Sequence, residues 1–373
     1  MAENYIRGAL LGQGTFAAVY KGADKRTGKP VALKEIFPDE KSTDGKKGLD
    51  PTALREIKLL RELQHPHVIR LLDAYPKKKS VVLVLEYMHS DLEAVIKDGN
   101  LVLAAADVKS YVRQLMEALA ACHKRWVLHR DIKPNNCLIA PDGRLKLADF
   151  GLSRVYGSPE GRLTHKVFAP WYRAPELFFG ARQYSSAVDM WAAGCIMGEL
   201  LLRRPLFDGL CDIEVLSKVF ALCGSPGVEG NWPAARELPY FLQFTETWPL
   251  PLRQVFPAAS GDALDLLGRL LQLDPLRRIS AAEALRHPYF SNNPPPTPPA
   301  LLPRPARRED APLGGAAAGG AAGGAEAGGR GVKGGRERPS PAASSPRPAK
   351  AARRSGSASA EAAMLRASPR MQH

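Results

Sequence analysis

The sequence lacks the features of secreted and membrane proteins. Its five cysteines form no CxxC pair, and their odd number argues against both a disulfide framework and a zinc site. The first residues contain no basic segment followed by an apolar run, and no stretch of about 18 apolar residues could span a membrane. We therefore expect free thiols in a reducing compartment, and hence a soluble cytoplasmic or nuclear protein.

The charge of the chain is unevenly distributed. The formal net charge is +14, and residues 291–373 contribute eight of these charges, with 13 Lys and Arg against 5 Asp and Glu. The rest is only mildly basic, so no direct binding of nucleic acid is predicted. Residues 291–373 are rich in Pro, Gly, Ala, Arg and Ser and cannot bury a core, which predicts a disordered tail. A basic cluster at 347–354 is a candidate nuclear-import sequence, and a solvated linker without such a site is the alternative.

The stretch HRDIKPNNCLIAPDGRLKLADFGLSR, residues 129–154, has polar residues in a spacing typical of phosphoryl transfer from ATP. Asp131 can accept a hydroxyl proton, and Asn136 and Asp149 supply oxygen ligands for Mg²⁺. Two short apolar runs around the turn at 141–143 predict a hairpin that brings Asn136 and Asp149 to one cleft. The alternative interpretation of this stretch is a polar loop between two strands.

Residues 5–36 predict three strands, with a glycine-containing loop between the first two. Backbone N–H groups of such loops approach phosphates closely. The residues predicted to contact a nucleotide there are Leu11, Gly12, Gln13, Gly14, Thr15, Phe16, Ala17, Ala18 and Val19. Because the third glycine of the usual pattern is replaced by Ala17, a tight hairpin without function has the same appearance.

A lysine inside an apolar strand supplies a second signal. Lys34, in the segment VALK, needs a charged partner, because an unpaired ammonium in the interior is unfavourable. The candidate is Glu56, on a helix predicted from apolar residues at helical spacing. A solvated helix charge is the alternative for Glu56.

Residues 155–169, here called the activation segment, are rich in Gly, Ser and Thr and lie between DFG at 149–151 and WYRAPE at 171–176. Three arginines could converge on a phosphate in it: Arg55, Arg130 and Arg154. Guanidinium groups bind phosphate in bidentate fashion, and three clustered cations would otherwise repel one another. We expect phosphorylation of Thr164 to order the segment, with Ser158 as a second, proline-directed candidate. Three unrelated surface arginines are the alternative.

Residues 1–290 resemble a eukaryotic protein kinase, and more narrowly a cyclin-dependent kinase. The narrower resemblance is carried by PTALREI, similar to the cyclin-binding helix of that family, by DFGLSR and by WYRAPELFFGARQYSSAVDMWAAGCI. Within the family the chain is most similar to the CDK-activating kinases, in GQGTFAAVYK, YGSPEGRLTHKV and HPYFSNNPPPTPPALLPRP. The resemblance implies an α+β, two-lobed fold: a small β-rich N-lobe at 1–88, a larger helical C-lobe at 89–290 and the tail at 291–373.

The resemblance also implies the cofactors, which would be ATP and Mg²⁺. The residues implied to lie against the adenine are Glu86, Met88 and Leu138. Lys34, fixed by Glu56, would bind the α- and β-phosphates, and Lys133 would neutralise the phosphoryl group during its transfer. In the same fold Arg278 would pair with Glu176.

The partner implied by the resemblance is a cyclin, expected to be of the H type, together with a RING assembly factor and transcription factor TFIIH. The implied substrates are the activation-loop Thr of other cyclin-dependent kinases and Ser in the C-terminal repeats of RNA polymerase II. Such a protein would act in the nucleus, with the cytoplasm as a second location.

The sequence departs from the family in the substrate region. Ala169 replaces a Thr whose hydroxyl bridges the residues matching Asp131 and Lys133, and Pro170, which has no N–H, follows it. Phe16 stands where many cell-cycle members carry an inhibitory tyrosine. Two alternatives stay open: a pseudokinase scaffold that binds a cyclin without catalysis, and a cell-cycle cyclin-dependent kinase.

Overall fold

The computed structural model describes residues 4–14, 17–37, 51–77, 80–156, 163–164 and 167–305. Three of the predicted site residues lie outside these ranges, namely Thr15, Phe16 and Ser158, as does the chain after residue 305. None of the helices in these ranges is long and apolar enough to cross a bilayer.

An antiparallel sheet forms the N-terminal lobe. Its strands are β1 (Tyr5–Gln13), β2 (Ala17–Asp24), β3 (Pro30–Ile36), β4 (Leu71–Lys77) and β5 (Ser80–Glu86). Their order across the sheet is β1-β2-β3-β5-β4. Strand β5 lies between β3 and β4 and is buried from Ser80 to Leu85, which explains why its sequence is an uninterrupted apolar run.

One helix of this lobe, α1 (Pro51–Glu62), packs against β4 and turns a carboxylate inward. Proline is well suited to the first helical turn, because its missing N–H would have no intrahelical partner there. Glu56 is only 1% exposed, whereas Leu54 leaves 49% of its surface accessible. The helix therefore presents a buried charge to the interior and an apolar side chain to solvent.

The second lobe is mainly helical. Its helices are α2 (Leu92–Lys97), α3 (Ala105–His123), α4 (Pro175–Phe178), α5 (Ala187–Leu202), α6 (Asp212–Cys223), α7 (Leu252–Val255), α8 (Gly261–Leu270) and α9 (Ala281–Ala284). Short 3₁₀ turns lie at Pro134–Asn136, Phe150–Leu152, Pro170–Tyr172, Val228–Gly230, Pro233–Glu237, Pro288–Phe290 and Pro299–Leu301. Helix α5 is buried from Ala187 to Leu200, as expected for a helix that is apolar nearly all round.

Short strands in this lobe position the stretch 129–154. They are β6 (Ser90–Asp91), β7 (Val127–Leu128), β8 (Cys137–Ile139), β9 (Leu145–Leu147) and β10 (Arg154–Val155). Strands β8 and β9 form the predicted hairpin, with Cys137 opposite Leu147, and β10 pairs with β7. The hairpin carries Asn136 just before β8 and Asp149 just after β9 to the same end of the structure.

The structure differs from the predicted tail at its beginning. Residues 291–305, here called the C-terminal strap, pack against the second lobe. The Nζ atom of Lys109 donates to two main-chain carbonyls of the strap, at 2.7 and 2.6 Å. The buried Tyr111 hydroxyl donates to the carbonyl of Pro303 at 2.8 Å, and Leu302 is only 3% exposed. Prolines need no N–H partner, so side chains of α3 can satisfy the carbonyls of a proline-rich segment and order it.

The strap crosses the β8–β9 turn and ends beside the cleft between the lobes. Gly143 in that turn has φ of +84°, and a Cβ atom there would lie 1.8 Å from the carbonyl oxygen of Pro299. At the end of the strap, the Pro305 carbonyl oxygen is 3.0 Å from Nε2 of His89. The turn and the strap are therefore in direct backbone contact.

A chain that ends at Pro305 should keep the free energy of unfolding of the longer chain, whereas one that ends at Ser291 should lose about 3 kcal/mol or more. The shorter chain exposes the site filled by Leu302 and leaves the buried Tyr111 hydroxyl unpaired. Urea denaturation followed by circular dichroism measures the difference. Equal midpoints for the two chains would show that the strap adds no stability.

Candidate active site

A cleft of about 330 Å³ lies between the sheet and the β8–β9 hairpin, a volume suited to a small ligand. Nine predicted residues line it: Leu11, Gly12, Val19, Lys34, Glu86, Met88, Asn136, Leu138 and Asp149. The lining includes apolar side chains from both lobes, among them Val19 and Leu138. Half of the residues that line the cleft were therefore predicted from the sequence, and they come from both lobes.

Part of the predicted nucleotide loop does not line this cleft. Among the described residues, these are Gln13, Gly14, Ala17 and Ala18. Ala18 has no exposed surface, although its neighbour Val19 forms part of the cleft wall. Successive side chains of a strand face opposite sides of the sheet, so neighbouring strand residues cannot both turn their side chains to the nucleotide.

The ammonium of Lys34 contacts carboxylates from both lobes. Its Nζ atom is 2.8 Å from Oε1 and 3.0 Å from Oε2 of Glu56, and 2.8 Å from Oδ1 of Asp149. Burial lowers the pKa of Lys34, but the two carboxylates outweigh burial and raise it above its usual value. The charge of Lys34 in turn lowers the pKa of Asp149 to about 2. The ion pair predicted between Lys34 and Glu56 is present.

In residues 129–136, here called the catalytic loop, two side chains donate hydrogen bonds to the same carboxylate oxygen of a third. Oδ2 of Asp131 accepts hydrogen bonds from Nζ of Lys133 and from Nδ2 of Asn136, each at 2.8 Å. Nδ2 of Asn136 also donates to the main-chain carbonyl of Asp131 at 2.7 Å. Because the amide nitrogen of Asn136 faces Asp131, the amide oxygen is the atom available to a cation.

A buried aspartate on α5, which was not among the predicted site residues, holds the catalytic loop. Oδ2 of Asp189 accepts from the main-chain N–H of His129, and Oδ1 accepts from that of Arg130, both at 3.0 Å. Nε2 of His123 is also 3.0 Å from Oδ2. Burial raises the pKa of Asp189, but its hydrogen bond with His123 and nearby positive charges lower it overall. The signal was available, since an acidic residue in an apolar helix needs partners.

The three predicted arginines lie close enough for their charges to interact. The pKa of Arg154 is lowered, first by burial and then by the charges of Arg55 and Arg130. Thr164 is exposed, and its main-chain carbonyl oxygen accepts a hydrogen bond from the Tyr184 hydroxyl at 2.7 Å. The arginine cluster is therefore present, and its binding to a phosphate on Thr164 stays a prediction.

The region after the activation segment shows one predicted contact and one departure from the family. Nη1 and Nη2 of Arg278 donate to the two carboxylate oxygens of Glu176 at 2.8 and 3.1 Å, and both residues are buried. Ala169 offers no hydroxyl, and Lys133 reaches Asp131 directly. The loop residues are thus brought together without the bridging Thr that the family usually has.

Comparisons with known proteins agree with this geometry. The family model for the protein kinase domain matches residues 5–290. Cyclin-dependent kinase D-1 of Arabidopsis thaliana is 52% identical over 311 residues, which cover 83% of this chain and 77% of the relative. Cyclin-dependent kinase 7 of Xenopus laevis is 48% identical over 304 residues, covering 82% and 86%. The solved CAK complex of Chaetomium thermophilum bound to ATP-γ-S matches with 40% identity and a TM-score of 0.76, over 82% of this chain and 96% of that one.

The two-lobed fold and the family model define a protein kinase, and the relatives place it among the serine/threonine kinases. The similarities extend well beyond the kinase signature, to more than four-fifths of the chain. The chain belongs to the cyclin-dependent kinases, and within them to the CDK-activating type. The prediction of an enzyme of this class is confirmed, and the pseudokinase alternative is not supported.

Replacing Glu56 by Gln should lower kcat/KM by at least about tenfold, because Lys34 loses one of the two charges that fix its ammonium. A phosphotransfer assay with the cyclin-bound protein measures the loss, and urea unfolding checks the fold. Glu62→Gln, at the exposed end of the same helix, is the matched control. Equal activity of the two variants would contradict the role of the ion pair.

Proposed function

We propose that this kinase, bound to a cyclin of the H type, transfers the terminal phosphoryl group of ATP to two substrate classes. These are the activation-loop Thr of other cyclin-dependent kinases and Ser in the C-terminal repeats of RNA polymerase II. The observation that carries the proposal is the Lys34 ammonium bound by Glu56 and Asp149 at 2.8 Å, in the same structure that brings Lys133 and Asn136 onto the carboxylate of Asp131.

ATP would lie in the cleft with its adenine between the apolar walls that include Val19 and Leu138. The ATP-γ-S named with the related CAK complex supports this assignment. Lys34 would bind the α- and β-phosphates, since its raised pKa keeps it charged. Asn136 and Asp149 would hold Mg²⁺, a cation that prefers oxygen ligands and keeps phosphate oxygens as partners. When bound, the ion neutralises charge on the phosphates.

The transfer step assigns separate roles to two loop residues. Asp131 accepts the proton of the substrate hydroxyl while the hydroxyl oxygen bonds to the terminal phosphorus and the bond to ADP breaks. Lys133, whose Nζ atom lies 2.8 Å from Asp131, stabilises the negative charge of the phosphoryl group in transfer. Positioning and charge stabilisation supply most of the rate in this chemistry.

A cyclin is proposed to cover an exposed apolar surface around α1. Leu54 lies on that helix, and Leu152 lies in the 3₁₀ turn that contacts it. Trp126 and Val155, exposed by 59% and 66%, are brought together where β7 meets β10. Exposed apolar groups of this kind favour an interaction site. Because Glu56 is on the same helix, a partner bound there would fix the carboxylate that holds Lys34.

The proposed further partners and the proposed location of the protein depend on its relatives. The CAK complex of Chaetomium thermophilum and the similarity to the CDK-activating kinases favour an assembly that includes a RING factor and TFIIH. A nuclear location, with the cytoplasm second, follows from the same similarity. The proposed parts of the chain keep the predicted bounds: an N-lobe at 1–88, a C-lobe at 89–290, and a tail whose first residues form the strap.

The proposal is tested by purifying the chain with a cyclin H-type partner and offering it two substrates side by side. One is a polymerase C-terminal repeat peptide, and the other is an inactive cyclin-dependent kinase. We expect transfer to both, and a loss of at least about a hundredfold in the Asp131→Asn variant, which keeps the fold but lacks the base. Cyclin binding with no transfer to either substrate would instead favour a scaffold.

Phosphorylation of Thr164 is proposed to order the activation segment through the three arginines. Thr164→Ala should therefore lower kcat/KM by about tenfold without changing the unfolding midpoint, since charge-assisted hydrogen bonds are lost. Thr245→Ala, at an exposed threonine in the second lobe, is the control. Wild-type activity in Thr164→Ala would refute the proposal.

A further inference from the structure

One tyrosine hydroxyl connects the catalytic loop to the activation segment. Tyr184 lies three residues before α5. Its hydroxyl accepts a hydrogen bond from Nη1 of Arg130 at 2.9 Å and donates one to the main-chain carbonyl of Thr164 at 2.7 Å. Arg130 directly precedes Asp131. A single side chain thus joins the residue next to the catalytic base with the proposed site of phosphorylation.

Arg130, the partner of Tyr184 in the catalytic loop, is buried and held by further hydrogen bonds. Arg130 is 1% exposed, and its main-chain N–H donates to Asp189 at 3.0 Å. Its Nε atom donates to the main-chain carbonyl of Leu152, just after DFG, at 2.8 Å. The guanidinium therefore has anchors on α5 and on the turn that follows Asp149. A segment tied to Arg130 is tied to the core of the second lobe.

The Tyr184 hydroxyl is chemically suited to both of its hydrogen-bond partners, the Arg130 guanidinium and the Thr164 carbonyl. Burial raises the pKa of the Tyr184 phenol, although the charge of Arg130 opposes this, so the hydroxyl keeps its proton at neutral pH. It can therefore donate to a carbonyl while its oxygen accepts from the guanidinium. The charges of Arg55, Arg130 and Arg154 repel one another. The Tyr184 hydroxyl gives the guanidinium of Arg130 a hydrogen-bond acceptor within that cluster.

The bond to the activation segment does not involve the side chain of Thr164. Because it uses the main-chain carbonyl, it can form whether or not the threonine hydroxyl carries a phosphate. A guanidinium has five N–H donors, and the contacts of Arg130 with Leu152 and Tyr184 use two of them. The others remain for a phosphate, so the tyrosine link and a phosphate can be present together.

We propose that Tyr184 is a positioning residue that holds the activation segment against the catalytic loop before Thr164 is phosphorylated. This inference rests on the proposed role of Thr164 and adds a second, phosphate-independent anchor for the same segment. Once a phosphate bridges the arginines, its bonds join opposite charges and are stronger than those of the uncharged tyrosine hydroxyl, which makes the tyrosine link dispensable. The kinase therefore keeps activity without the modification, and Tyr184 supplies part of it.

The experiment compares four full-length chains bound to the same H-type cyclin: wild type phosphorylated on Thr164, Tyr184→Phe phosphorylated likewise, Thr164→Ala, and the double variant. We expect Tyr184→Phe to lower kcat/KM about fivefold in the Thr164→Ala background and less than about twofold in the phosphorylated chain. Tyr75→Phe, in the N-terminal lobe, is the control. An equal loss in both backgrounds, or no loss in either, would overturn the inference, because a merely structural tyrosine does not sense the phosphate.

A second measurement does not depend on catalysis. Hydrogen exchange of the activation segment should be faster in the double variant than in Thr164→Ala, with α5 unchanged as the reference. Equal exchange in the two proteins would overturn the inference whatever their activity. If all four chains bind cyclin but none phosphorylates either substrate, the proposed substrates are wrong, while the exchange result still decides the role of Tyr184.

Discussion

The whole site depends on one ammonium group held by carboxylates from two lobes. Lys34 lies on a strand of the sheet, Glu56 on α1, and Asp149 just after the β8–β9 hairpin. The Nζ atom of Lys34 is 2.8 Å from a carboxylate oxygen of each acidic residue. A largely buried lysine is tolerable only with such partners. The same contacts lower the pKa of Asp149 to about 2, so its carboxylate stays ionised throughout the physiological range. Any movement of α1 therefore changes the electrostatics of the cleft as well as its shape.

A second buried charge gives the catalytic loop its rigidity. Asp189 accepts hydrogen bonds from consecutive main-chain N–H groups of His129 and Arg130, and thereby fixes the backbone just before Asp131. Arg130 extends this support to the turn after DFG and to Tyr184. The backbone next to the reactive carboxylate is thus held by hydrogen bonds to a buried residue of α5. Loops that must be precise are commonly supported in this way by a rigid scaffold.

The residues proposed to carry out the reaction could be predicted from the sequence, whereas two residues that support the catalytic loop were not. Lys34, Asp131 and Asp149 were identified because their residue types and local spacing are dictated by the reaction. Asp189 and Tyr184 were not, because each acts through a contact with a residue more than fifty positions earlier in the chain, which local spacing does not reveal.

Two details depend on features that the local sequence does not show. Loop residues 11–19 were predicted as one continuous set of nucleotide contacts, and their contacts with a nucleotide stay a prediction; strand alternation places Val19 in the cleft wall and buries Ala18. The start of the tail was predicted to be disordered because its composition offers no core of its own. The strap is ordered by partners on α3, Lys109 and Tyr111, which composition cannot reveal.

The strap also constrains how the polypeptide can fold during synthesis. Its contacts join residues very distant in sequence: 185 positions separate Lys109 from Pro294, and 216 separate His89 from Pro305. Contacts of such long range form slowly, because a large loop must close before they contribute. On the ribosome, α3 is complete long before the strap is translated. Lys109 and Tyr111 in the helical lobe therefore lack these hydrogen-bond partners until the fifteen residues of the strap have emerged.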